Sequence, residues 1–373
     1  MKILLLSAYD AQSHRYWRES LVDQFEQYQW TVLSLPPRFF SYRVRANPMT
    51  WFIEQRPILS ADYDLIIATS MVDVATLKGL IPSLATTPLW LYCHENQFSY
   101  PLSHHLDDRA LNNLDAKMVF VYNCLAAKQI SFNSEFNRRT AIDGLQALLK
   151  KFPEKIPVSF VDEIMAKTSV LAVPLQTVNA VSQPLMTTHQ GDKQKSIKII
   201  WNHRWEYDKG PDILLAIVEQ LAAAGQAIEF NIVGQQFRQS PAAFSAIKQA
   251  IERSATIKLG RWGFVQSITD YQQLLTECDV VLSTALHDFQ GLSVLEAVQA
   301  GCIPLLPDHL VYPEIFSSIY LYPCGGEPKA IAKEVLERLC LWRRQKQWPP
   351  LPDIRHFDWS QLREQYLAHI KSH

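Results

Sequence analysis

No CxxC pair occurs among the six cysteines, which stand at positions 93, 124, 278, 302, 324 and 340. Scattered mostly in apolar surroundings, they read as reduced core residues of a cytoplasmic protein. No charge of one sign dominates. The 36 Lys and Arg nearly balance the 37 Asp and Glu, for a formal net charge of −1, which excludes a global basic field. Any contact with nucleic acid has to come from a local patch. No apolar run approaches the ~20 residues of a membrane span. The N-terminal run Ile3 to Leu6 is too short for a secretory signal and reads as the first strand of a sheet. Internal repeats of 20–50 residues and low-complexity tracts are also missing.

What is present is a globular composition, 48% hydrophobic and 20% charged, over 373 residues. That length predicts two domains. Apolar strand-like runs alternate with helix-length amphipathic segments, the pattern of α/β parallel sheets. In the first half the predicted strands are Lys2–Leu6, Thr31–Leu35, Leu65–Thr69, Leu89–Cys93, Met118–Tyr122, Ile130–Asn133 and Ser169–Val173. In the second half they are Ile197–Trp201, Glu229–Val233, Thr256–Leu259, Asp279–Ser283, Ile303–Leu306 and Ile319–Tyr322. Gln176 to Ser196, rich in Gln, Thr, Ser and Lys and without periodicity, reads as a linker. The predicted domains are residues 1–178, a linker at 179–196, residues 197–350, and a terminal helix within 351–373. Asp358 or Ser360 would cap that helix. In such sheets ligands bind outside the carboxyl ends of strands, here in a cleft between two domains.

The most informative stretch runs from Ser283 to Ala297. An apolar strand leads into a loop and then a helix, with Asp288, Gly291 and Glu296 between. Backbone N–H groups at such a helix start bind anions. Glu296, about a turn in, can accept hydrogen bonds from ribose hydroxyls. After the strand Ile197–Trp201 come Arg204 and Lys209, with Pro211 as a natural first helical residue. Two cations beside a helix N-terminus clamp a diphosphate and stabilise a departing nucleotide. Pairing with Glu206 and Asp208 on a solvated loop is the plainer alternative. Gly234, Gly263 and Phe264 lie on two further post-strand loops where a nucleotide base would pass or stack.

Together these residues resemble the nucleotide-sugar domain of retaining glycosyltransferases of the GT-B fold. Arg204, Lys209 and Gly210 match one family pattern, and Asp288 through Glu296 another, with Asp288 standing where the family usually has Glu. Phe289-Gln290-Gly291 replaces the family's Gly-Phe-Gly. The blocks Tyr92–Gln97, Phe132–Asn137, Trp201–Lys209 and Leu310–Phe316, with Ser13-His14, resemble more narrowly the tRNA-queuosine mannosyltransferases. The resemblance implies two Rossmann-like domains facing across a cleft, with the C-terminal helix returning to the first. It implies mannose transfer from GDP-mannose to queuosine in tRNA(Asp), and no required metal. Arg204, Lys209, Asp288 and His94 would be catalytic. Gly234, Gly263, Phe264, Phe289, Gly291, Leu292 and Glu296 would join Arg204 and Lys209 around the donor.

On the acceptor side the expected residues are Ser13, His14, Glu95, Asn96, Gln97 and Ser134. His94 follows a strand, and its neighbours can orient sugar hydroxyls. A histidine satisfied by a backbone carbonyl is the alternative. Ser13 with His14 would cap a helix start, and Ser134 the helix beginning at Glu135. Arg38, Phe39, Phe40, Tyr42, Arg43, Arg45 and Trp51 interleave cations and aromatics in a segment suited to an anticodon loop, which Arg138, Arg139, Lys150 and Lys151 would extend. A loop docked on the domain by its aromatics is the alternative. A sugar transferase acting on a lipid or polysaccharide, a non-catalytic nucleotide-sugar-binding protein and a nucleotide-sugar epimerase are the competing readings.

Overall fold

The computed structural model describes residues 1–99, 109–157, 159–176, 196–237, 240–344 and 348–372. Contacts divide the chain into two units, one of residues 1–176 with the segment from Phe357 on, the other of 177–356. The expected linker at 179–196 lies almost wholly outside the described residues.

Short apolar runs, buried on both faces in the inner strands, form a parallel sheet in each unit. The first sheet contains β1 (Lys2–Ser7), β2 (Gln29–Ser34), β3 (Leu65–Thr69), β4 (Leu89–Cys93), β5 (Gln129–Phe132) and β6 (Thr168–Val170), in the order β2-β1-β3-β4-β5-β6. Leu4 lies level with Thr31 on one side and Ile66 on the other. The second contains β7 (Ile197–Trp201), β8 (Ile228–Val233), β9 (Ile257–Gly263), β10 (Val280–Leu282), β11 (Ile303–Pro307) and β12 (Leu321–Tyr322), in the order β12-β11-β10-β7-β8-β9. Ile199 of β7 is level with Phe230 and with Val280. Both are doubly wound sheets. The strand order reverses between β1 and β3 in the first and between β7 and β10 in the second, and ligands bind at such reversals.

One expected strand is a helix. Met118–Tyr122 lies inside Arg109–Ala126, where Ala116, Val119, Phe120, Asn123 and Cys124 are buried at helical spacing while Tyr122 is exposed. Five apolar residues in a row do not distinguish a strand from a packed helix segment.

The C-terminal helix, Trp359–Lys371, belongs to the first unit. Its buried residues Trp359, Leu362, Tyr366 and Ile370 form a single stripe. The Tyr366 hydroxyl accepts from Trp17 Nε1 at 3.0 Å and donates to the Ala172 carbonyl at 2.9 Å. Trp359 Nε1 donates to Ser20 Oγ, and Leu175 pairs with Asp358 as a short parallel bridge. Among the described residues no helix is long and apolar enough to cross a membrane.

Candidate functional site

The second sheet's reversal point gathers the sequence-predicted donor residues. The loop after β7 carries Arg204 and Lys209, and the loop after β10 carries Asp288. Backbone proximity locks the two together. Gly210 has φ +64°, and a Cβ there would lie 2.1 Å from the Thr284 carbonyl oxygen, so only glycine fits. Thr284 Oγ1 donates to the Lys209 carbonyl at 2.7 Å, and Leu286 N to the Asp208 carbonyl at 2.8 Å.

Lys209 is only 8% exposed. Its Nζ donates to the His287 carbonyl at 2.6 Å and lies 3.4 Å from Asp208 and 3.9 Å from Asp288. Arg204 is more open and pairs with Glu206 at 2.8 Å and Asp208 at 3.7 Å. The two cations therefore do pair with Glu206 and Asp208, yet they remain side by side at the mouth of two helices, Pro211–Ala223 and Leu292–Gln299. A diphosphate arriving there meets two positive charges and two helix N-termini.

Asp288 is held at both oxygens. Oδ1 accepts the Gly291 N–H at 3.1 Å, and Oδ2 accepts the Tyr312 hydroxyl at 3.1 Å. Burial alone would raise its carboxyl, but Lys209, His203 and the Tyr312 bond together hold it below the usual carboxylate range. Behind it runs a buried polar chain. The Tyr312 hydroxyl meets Ser283 Oγ at 2.8 Å, and Ser283 Oγ meets His203 Nε2 at 2.9 Å. Burial first, and Lys209 second, push the His203 imidazole down to about 4, and His287 likewise to about 4. Both rings are neutral at physiological pH. Sequence reasoning assigned no role to Tyr312, His203 or Ser283. Tyr312 and His203 stood inside the narrow blocks quoted above and Ser283 opened the stretch ending at Ala297, but nothing local joined the three, because they are distant from one another in the chain.

Glu296, in the helix Leu292–Gln299, accepts the Tyr271 hydroxyl at 3.1 Å, and Asn202 Nδ2 donates to that hydroxyl at 2.9 Å. Burial raises its carboxyl to about 7, against the lowering effect of the Tyr271 bond. Near neutrality it is poised between charged and uncharged forms, and a ribose hydroxyl donating to it would favour the charged one.

Gly234 and Gly263 both have positive φ. A Cβ on Gly234 would lie 1.8 Å from the His203 carbonyl oxygen, so backbone crowding accounts for that glycine without a ligand. Trp262 packs edge-on to Trp205 at 4.8 Å, leaving the exposed Phe264 as the ring open to a base. Phe289 departs from its expected role. Its side chain is buried edge-on to His287 at 4.6 Å, so this position can offer a ligand only its backbone. Gly291, in left-handed conformation, begins the helix, and Leu292 is its half-buried first residue.

In the first unit His94 leaves β4 and is buried. It stacks on His14 at 4.3 Å and 21°, and meets Trp17 edge-on at 4.9 Å. Burial first, and His14 second, draw its imidazole well below the ordinary value. Its Nε2 is buried with no hydrogen-bond partner among the described residues, an unsatisfied polar atom beside the carboxyl end of β4. Three amides shape the loop around it. Asn133 Nδ2 donates to the His94 carbonyl at 2.9 Å, and Asn137 Nδ2 to the Cys93 carbonyl at 3.0 Å. Asn96 Nδ2 donates to Asn137 Oδ1 at 2.8 Å, while Asn96 Oδ1 accepts the Phe98 and Ser99 N–H groups.

Several acceptor-side expectations change accordingly. Asn96 spends its hydrogen-bonding capacity within the protein, so it positions the loop instead of reading a substrate. Ser134 caps the helix Glu135–Leu149 as expected, accepting the Asn137 N–H at 3.0 Å, and that bond accounts for it without an acceptor. Ser13 caps nothing, because Ala11 occupies the N-cap of the helix Gln12–Gln24 and Ser13 lies exposed in its first turn. Gln97 is buried with Nε2 3.6 Å from Met71 Sδ; Glu95 is half-buried, and its carbonyl accepts from Ser70 Oγ. The expected RNA patch is split. Arg38 is exposed and Arg43 half-buried, but Arg45 pairs with Asp73 at 2.7 Å. Trp51 is 1% exposed in the core, because it lies on the inward side of its helix, and so cannot stack on a base.

Among known families, residues 2–175 match the model described as tRNA-queuosine alpha-mannosyltransferase N-terminal, and residues 186–348 match glycosyl transferases group 1. A tRNA-queuosine alpha-mannosyltransferase of Drosophila melanogaster is 31% identical over 328 residues, covering 86% of this chain and 83% of that protein. Among solved structures, Anabaena HepE in complex with UDP and glucose aligns over 100% of both chains, with TM-score 0.66 and 17% identity. An alpha,alpha-trehalose-phosphate synthase (UDP-forming) from Burkholderia vietnamiensis aligns over 100% of this chain and 99% of that one, with TM-score 0.65 and 13% identity. At such identities the likeness speaks to the fold alone, which is GT-B with two Rossmann-like domains.

Proposed function

We propose, because this chain belongs to the tRNA-queuosine alpha-mannosyltransferase family of glycosyltransferases, that it moves mannose from GDP-mannose to the queuosine of tRNA(Asp) with retention of configuration. The observation that carries the donor half is the convergence of Arg204, Lys209, Asp288 and Glu296 at the second sheet's reversal point. As the glycosidic bond to GDP breaks, negative charge grows on the diphosphate. Arg204, Lys209 and the N-terminus of the helix Leu292–Gln299 meet it there, and in many enzymes such preorganised charges supply most of the rate enhancement. Asp288, fixed as a carboxylate, accepts from a hydroxyl of the sugar. Glu296 accepts from the ribose. The acceptor hydroxyl attacks from the face the diphosphate leaves and gives its proton to the departing diphosphate, with no protein group forming a covalent bond to the sugar. On the first unit, His94, whose buried Nε2 has no partner among the described residues, is the group assigned to orient an acceptor hydroxyl.

The reading needs no metal, since the cations of Arg204 and Lys209 stand where one would neutralise the diphosphate, and it places the reaction in the cytoplasm. Its test is incubation with GDP-mannose or with UDP-sugars, on bulk tRNA and on separately purified tRNAs, followed by mass analysis of the released nucleosides. One hexose added to queuosine, equally with and without EDTA, is the expected result. Transfer only from UDP-sugars would overturn the donor assignment, and loss in EDTA the metal-free mechanism. Modified nucleosides from tRNAs other than tRNA(Asp) would overturn the choice of acceptor.

A further inference from the structure

The helix Phe40–Glu54 shows solvent a face that the described chain leaves bare. Tyr42, Arg45, Met49 and Ile53 recur at spacings of three and four, which places them on one side of a helix. Tyr42 is 76% exposed and Ile53 72%, and Met49 between them is also exposed. A row of large apolar side chains left in water differs from the scattered exposed hydrophobics of any surface. Just before the helix, Phe39 is 70% exposed and adopts φ 60°, ψ 52°. That left-handed conformation is costly for a bulky residue and points to a role. Its neighbour Phe40 turns inward and meets Tyr9 edge-on at 5.8 Å, while the Phe39 ring stays outside.

Unspent positive charge surrounds these rings. Between residues 38 and 59 there are four arginines and one acid, Glu54. Arg45 is neutralised by Asp73. Arg38, Arg43 and Arg56 have no carboxylate at ion-pair distance among the described residues, and Arg56 lies over the Phe52 ring at 4.9 Å. The helix follows β2, the edge strand, and so starts at the carboxyl edge of the first sheet, where β1 and β4 also deliver His14 and His94. Strand order β2-β1-β3-β4 puts three inter-strand spacings, about 14 Å, between that edge and His94.

We propose that this face, led by Phe39 and Tyr42, stacks unpaired bases of the acceptor tRNA's loop while Arg38, Arg43 and Arg56 meet the flanking phosphates. The proposal rests on the reading of the chain as a tRNA-modifying transferase. Exposed rings beside unpaired cations are the chemistry of single-stranded RNA recognition, because an unpaired base offers a π-face and its backbone a charge. A duplex offers no such faces. Trp51 takes no part.

The test is the double variant Phe39→Ala/Tyr42→Ala. Both side chains are exposed, so melting temperature and GDP affinity should match the wild type. The KM for queuosine-containing tRNA should rise about tenfold or more with kcat unchanged, since stacking on each ring is worth roughly a factor of ten in affinity. Phe39→Trp/Tyr42→Trp should restore it. Arg38→Gln/Arg56→Gln should lower the slope of log affinity against log salt by roughly one for each phosphate no longer neutralised. An unchanged KM for tRNA in the alanine variant overturns this surface, in favour of a docking face for a protein, and leaves the proposed function standing. A wild-type chain that transfers no sugar to tRNA overturns both together.

Discussion

Glu296 and Asp288, eight positions apart, are carboxylates in opposite electrostatic situations. Asp288 sits beside Lys209 with both oxygens satisfied, and is held charged. Glu296 has the Tyr271 hydroxyl and, among the described residues, no cation paired with it, and burial raises it to about 7. If the ribose of GDP donates to the charged form, GDP binding must expel a proton from this group. Calorimetry should then show GDP affinity falling as pH drops below about 7, by up to about tenfold per unit. Glu296→Ala should bind GDP weakly throughout, and Glu296→Gln should lose the pH dependence belonging to this group. An affinity in Glu296→Ala equal to the wild type would remove Glu296 from the ribose. The same shift acts on stability. The unfolded chain ionises this group near the ordinary glutamate value of 4.5, so the ligand-free protein should lose stability from there up to about pH 7, and Glu296→Gln should not. The residues of the donor constellation were readable in sequence because they sit at fixed spacings on two loops. Their partners Tyr271, Ser283 and Tyr312 were not, since only tertiary packing brings them there.

At the scale of elements, the loops after β7 and β10 behave as one piece because Gly210 lets their backbones touch. Gly225 provides a matched control, having the same φ of +64° but open space, with nothing within 4 Å, where a Cβ would go. Replacing either glycine by Ala should cost on the order of 1–2 kcal/mol for the left-handed backbone. Gly210→Ala must also push away the Thr284 carbonyl, so denaturant titration should show the larger loss, and GDP affinity should fall with it. Gly225→Ala should leave GDP affinity intact. Equal effects in the two would mean that the approach of the two loops is unimportant. Strands buried on both faces, such as Ile3 to Leu6 and Leu89 to Cys93, were legible because a parallel sheet demands an unbroken apolar run. Met118 to Tyr122 shows the same run serving a helix, where the burial of Ala116, Phe120 and Cys124 sets the period instead. Trp51 was misread for a related reason. Its neighbours Arg43 and Arg45 look like a basic surface until the helix phase is known, and that phase turns the indole inward.

At the scale of the whole molecule, the first unit is built from two separated stretches of chain. Trp17 and Tyr366, 349 positions apart, share a hydrogen bond in its interior. Removing residues 357–373 should expose Trp17, Tyr92 and Trp90 and lower the melting transition of the first unit, while calorimetric GDP binding to the second persists. Loss of GDP binding on that truncation would show that the two units do not stand separately. The return of the last helix also bears on synthesis. Domains generally form as they emerge, first part first, but here the part made first waits for the part made last. On the ribosome the second sheet has all of its strands well before Tyr366 is added. A chain interrupted between His356 and that helix is thus released with the whole of the second unit and an unfinished first one, and, on the proposed function, it would hold GDP without being able to pass on a sugar.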